Sequence, residues 1–99
     1  MDDKQKQEII DDSWIHHNAI EQAYLAFEAS AKDSQWPEKQ RLLLADMALH
    51  LLQTALNPST LDNEKLRNNL YAILTISEQY IPDADLAHAK EKLLFVKDN

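Results

Sequence analysis

Eleven of the fifteen residues from Leu42 to Leu56 are apolar, and this stretch constrains the chain more than any other. The exceptions are Asp46, His50, Gln53 and Thr54. Asp46, His50 and Gln53 stand at i, i+4 and i+7, a spacing that a helix gathers into one narrow polar stripe. Every other side of such a helix is apolar and has to be covered by other segments. The stretch is too short for a membrane span, which needs about 20 largely uncharged residues, and it carries Asp46 and His50.

Helical periodicity continues on both sides. Ile10, Trp14, His17, Ile20, Tyr24, Phe27 and Ala31 follow at steps of three or four and predict a first helix from Glu8 to Ala31, with residues 1–7 frayed. Trp36-Pro37-Glu38 opens the second helix, because proline fits the first helical position and an acid suits the positive helix end. Asn57-Pro58 closes it. Ser59, Thr60 and Asp62 are N-cap candidates for a third helix with a stripe of Leu66, Leu70, Ile73, Ser77 and Tyr80, stopped by Pro82. Asp83 is the expected N-cap of a fourth helix carrying Leu86, Ala89, Leu93 and Val96. Short connections make sequential helices antiparallel neighbours. The expected fold is all-α, a compact up-down-up-down antiparallel four-helix bundle forming a single domain over residues 1–99. Ala48, Leu52, Ala55 and Pro58 resemble the second helix of a tetratricopeptide repeat. The next candidate, Ala87, lies 39 residues beyond Ala48 and misses that repeat's period of about 34, so a repeat is not expected.

Composition removes whole classes of function. Glycine is absent, which excludes a P-loop and a dinucleotide-binding fingerprint. Cysteine is absent, which excludes disulfides, thiol nucleophiles and thiolate zinc sites. The net charge is −7 and the ten Lys and Arg are scattered, so direct nucleic-acid binding and attraction to anionic membranes are not expected. The segment from Met1 to Lys6 has no apolar run, and a cytoplasmic protein without a signal peptide is expected.

No serine stands in a nucleophile motif, and Arg41 and Arg67 are too few to hold a dianionic substrate, so no catalytic residue is assigned. The pairs His17/Glu21 and Asp46/His50 each sit one turn apart and have the donor types to chelate a metal between facing helices. Neither Glu-x-x-His nor His-Glu-x-x-His occurs, however, so no metal and no cofactor is expected, and His17 reads as a boundary histidine. From Glu8 to Ser34 there are six acids against one base, Lys32. That excess makes Asp11, Glu21 and Glu28 the expected partner-binding face, with Asp46 and His50 at its edge and Trp36 as an aromatic anchor. The expected function is a small acidic, non-enzymatic protein-binding module: an inhibitor, immunity-type protein, secretion chaperone or regulatory adaptor. Its expected partner is another protein, basic in character. The alternatives are a self-associating bundle, such as a homodimer, and a bundle that binds a small molecule or metal.

Overall fold

The computed structural model describes residues 1–27 and 36–95. Helix α1 spans Asp3–Ala26, α2 Trp36–Leu56, α3 Asn63–Ser77 and α4 Leu86–Phe95, with a short 3-10 turn at Pro82–Ala84 before α4. The fold is an all-α four-helix bundle, with 84% of the described residues helical and no strand among them.

Local chemistry sets the helix ends and corrects several sequence expectations. Residues 1–7 do not fray, because Asp2 and Gln5 form a capping box. Asp2 Oδ1 accepts from the Gln5 N–H at 2.8 Å, and Gln5 Oε1 accepts from the Asp2 N–H at 2.9 Å. Helix α1 ends at Ala26 rather than Ala31, since Phe27 is already extended; Ala31 lies outside the described residues. Lys39 of α2 donates to the Phe27 carbonyl at 3.1 Å and lies 4.7 Å from the Tyr24 ring centre, placing a cation at the negative end of α1. Among the three candidates for capping α3, Asp62 does so, accepting from the N–H groups of Glu64 and Lys65. Helix α3 stops at Ser77, and a hydrogen-bonded turn carries the chain to Ile81. Asp83 falls inside the 3-10 turn rather than capping α4. Asp85 precedes α4 with φ 54, a left-handed conformation that Asp adopts more readily than most residues.

The contacts of α2 with α1 and with α3 run antiparallel. Between α1 and α2, Ser13 meets Gln53, His17 meets Asp46 and Phe27 meets Lys39. Between α2 and α3, Thr54 meets Asn69 and Gln40 meets Gln79, while Tyr80 beyond α3 donates to the Pro37 carbonyl. Helix α4 is tied to α3 through Lys90, which pairs with Glu78 at 3.0 Å and lies over Tyr71.

Each helix packs chiefly on its neighbours in sequence, so the helices form a flattened array of 45 × 34 × 17 Å. Its radius of gyration is 15.4 Å, against about 13 Å for a compact domain of 100 residues. Helix α2 is therefore covered on two sides only. Leu42, Leu43, Leu49, Leu51 and Leu52 are half-buried, and the buried apolar side chains among the described residues are Ile10 and Ile76. The other buried residues are polar: Ser13, His17, Gln40 and Thr54. Among the described residues, no helix is long and apolar enough to cross a membrane.

Candidate functional site

The stripe Asp46–His50–Gln53 faces α1, not water. Helix α1 receives it with polar residues of its own: Ser13 and His17 lie one turn apart on the face that also carries Ile10. Trp14, placed by its spacing on the inner line, is displaced to the edge and stays 45% exposed, and Ser13 takes the interior position. His17 is 8% exposed, so it is a buried histidine rather than a boundary one.

His17 is the centre of the cluster. Its Nε2 lies 3.0 Å from Asp46 Oδ1, and His50 Nε2 lies 3.8 Å from Asp46 Oδ2. The two imidazole rings meet edge to face with centres 4.8 Å apart. Trp14 packs edge-on to both, 5.0 Å from His17 and 6.1 Å from His50. The far nitrogen of His17, Nδ1, is 3.2 Å from Asn18 Oδ1 and 3.7 Å from Glu21 Oε2. Although Asp46 Oδ1 is close to His17 Nε2, the two are not aligned for a hydrogen bond. Oδ1 is buried and has no hydrogen-bond partner, a state that is rare and unfavourable for a buried acceptor.

Ser13, His17 and Asp46 are the residue types of a nucleophilic triad, but the geometry differs. Ser13 Oγ donates to the Ile10 carbonyl at 2.6 Å and accepts from Gln53 Nε2 at 3.0 Å, so its proton is committed to the backbone and not to His17. It is also only 2% exposed, out of reach of a substrate. Beside this seam, toward α3, opens a cleft of about 450 Å³ whose walls include Ile10, Trp14, His50, Gln53, Thr54 and Asn69. His50 and Trp14 thus border both the cluster and the cleft.

No family model, curated protein or solved structure matches this chain. The site has to be read from its own residues.

The partner-binding residues expected from the sequence separate into two groups. Asp11 and Glu21 are exposed on α1, Asp11 accepting from Gln7 at 2.9 Å. Asp46 and His50 sit in the α1–α2 seam, with side chains 14% and 32% exposed. Trp36 is the first residue of α2 and is half-buried. Glu28 lies outside the described residues. Ser13 and Asn18 were not singled out by sequence; the available signal for Ser13 was its place between Ile10 and His17 at steps of three and four.

Proposed function

We propose that the protein is a small acidic, non-enzymatic protein-binding module, acting in the cytoplasm and docking a basic protein on one flank of α1. The observation that carries this reading is uncovered surface. A compact monomer of this mass exposes about 5,800 Å², whereas this chain exposes 7033 Å². The surplus exceeds the roughly 800 Å² that each partner contributes to a standard protein–protein interface.

The flank is chemically defined. Trp14, Glu21 and Leu25 follow one another at seven and four residues and so share one side of α1. Trp14 is 45% and Leu25 63% exposed, and Asp11 stands one turn before Trp14. Exposed apolar groups flanked by acids suit a partner whose apolar contacts are bordered by Lys or Arg. They suit a second copy poorly, since a two-fold interface sets the same patch against itself and brings acids against acids. The committed hydroxyl of Ser13 supports the non-enzymatic part of the reading.

The test compares the wild-type chain with an Asp11→Lys/Glu21→Lys/Leu25→Ser variant as immobilised baits in lysate of the source cells. A basic protein should be retained by the wild type, released by added salt and lost from the variant, with the variant's helicity unchanged. Recovery of the same proteins on both baits would overturn the reading.

A further inference from the structure

We propose that His17, Asp46 and His50 form a binding site for one divalent transition-metal ion, with two imidazoles and one carboxylate as ligands. The proposal does not depend on partner docking, and it departs from the metal-free expectation drawn from sequence spacing. That expectation weighed His17/Glu21 and Asp46/His50 as pairs on facing helices and set them aside because neither Glu-x-x-His nor His-Glu-x-x-His occurs. Here the ligands come from two facing helices, and antiparallel packing of α1 on α2 brings them together.

Three observations converge. First, one ligand atom from each residue lies within 4.8 Å of the other two. A zinc ion bound at about 2.0–2.2 Å sets its ligand atoms about 3.2–3.6 Å apart in a tetrahedral site. His17 Nε2 lies 3.0 Å from Asp46 Oδ1 and His50 Nε2 lies 3.8 Å from Asp46 Oδ2, so the nearest pairs stand close to that range but use different oxygens of the carboxylate, and His50 would move inward to complete a set with one donor atom from each residue.

Second, the carboxylate of Asp46 is largely buried beside the two imidazoles, its side chain 14% exposed. Its Oδ1 makes no hydrogen bond, although it lies 3.0 Å from His17 Nε2. A bound cation would satisfy it.

Third, the outer nitrogen of His17 is held in the manner of a metal-ligating histidine. Nδ1 faces Asn18 Oδ1 at 3.2 Å and Glu21 Oε2 at 3.7 Å, the kind of oxygen partners that orient a ligating imidazole, and Nε2 lies on the side of Asp46.

The donor set defines the class of ion. Imidazole nitrogen suits zinc and its first-row neighbours, while calcium and magnesium require oxygen. Three protein ligands leave a fourth position for water. His50 is the most exposed of the three and borders the cleft, which gives that position access to solvent.

The experiment uses the full chain, freed of metal by chelator, titrated with Zn(II) by calorimetry and with Co(II) by visible absorption. The expected result is one ion per chain, a Co(II) d–d spectrum of low-coordinate type, and a melting temperature raised by Zn(II) but not by Mg(II). Ring resonances of His17 and His50 should shift, while those of His16 and His88 should not. Asp46→Asn and His50→Ala should each weaken Zn(II) binding at least about 10-fold, and His88→Ala should leave it unchanged. Helicity measured without metal shows that the variants fold; if Asp46→Asn does not, His50→Ala at the half-exposed position decides. Absence of saturable one-to-one binding, equal affinity in both ligand variants, or shifts confined to His16 and His88 would overturn the proposal.

Discussion

Ser13→Ala probes the seam on which the site is built, and two effects of opposite sign have to be separated. Ser13 Oγ accepts from Gln53 Nε2 at 3.0 Å across the helix interface, at a position 2% exposed. Removing that acceptor leaves a partly buried amide without its partner, which costs about 1–2 kcal/mol. The Ile10 carbonyl, which also receives the hydroxyl, keeps its helical N–H bond, so little is lost there. Against the loss, alanine is the better helix former by about 0.5 kcal/mol. The net destabilisation is then about 1 kcal/mol, or a fall in melting temperature of about 4–8 °C for a domain of this size. A double-mutant cycle with Gln53→Ala removes the propensity gain, which enters both arms equally. Urea unfolding followed by circular dichroism should return a coupling energy of about 1 kcal/mol. A coupling below about 0.3 kcal/mol would mean that Ser13 and Gln53 do not meet, and the α1–α2 register would have to be redrawn.

Three further outcomes follow from the same structure. Ile76→Ala, at one of the two buried apolar positions among the described residues, should cost about 2–4 kcal/mol in urea unfolding, and a loss below about 1 kcal/mol would remove Ile76 from the core. Asp2→Ala breaks the capping box and should cost about 1 kcal/mol, with faster amide exchange confined to the first turn of α1; unchanged exchange there would mean that the cap does not form. Lys90→Ala removes the cation shared by Glu78 and Tyr71, so amide protection should fall in α4 while α1 and α2 keep theirs, and a uniform loss across all four helices would show that α4 is integral to the cooperative unit.

The helices were legible wherever one residue had a single structural use. Pro37 marked the start of α2, Asn57-Pro58 its end, and Asp62 stood among the candidates that cap α3. The capping box at Asp2 and Gln5 was also present in the sequence, but its polar surroundings read as a frayed end. Periodicity located the stripe of Asp46, His50 and Gln53 without giving its direction. A polar stripe normally faces water, and here it faces α1 because Ser13 and His17 are there to receive it. His17 already stood on the apolar line of α1, whereas the α2 half looks like a solvent-facing stripe when read alone, and only the pairing of the two helices turns it inward. The half-burial of the α2 leucines was hidden for a related reason. Apolar content shows what has to be covered, whereas the flattened arrangement determines how much of it this chain covers by itself.

The central structural claim is that the polar stripe of α2 lies against His17 of α1. Its most direct test is the nuclear Overhauser spectrum of the aromatic protons in the free protein. The His17 and His50 ring centres are 4.8 Å apart and Trp14 lies 5.0 Å from His17, so cross-peaks linking all three side chains are expected, with none joining them to His16 or His88. If contacts appear between the apolar side chains of α1 and α2 while His17 and His50 share no cross-peak, the helices pack with the stripe turned to water, and the site described here does not exist.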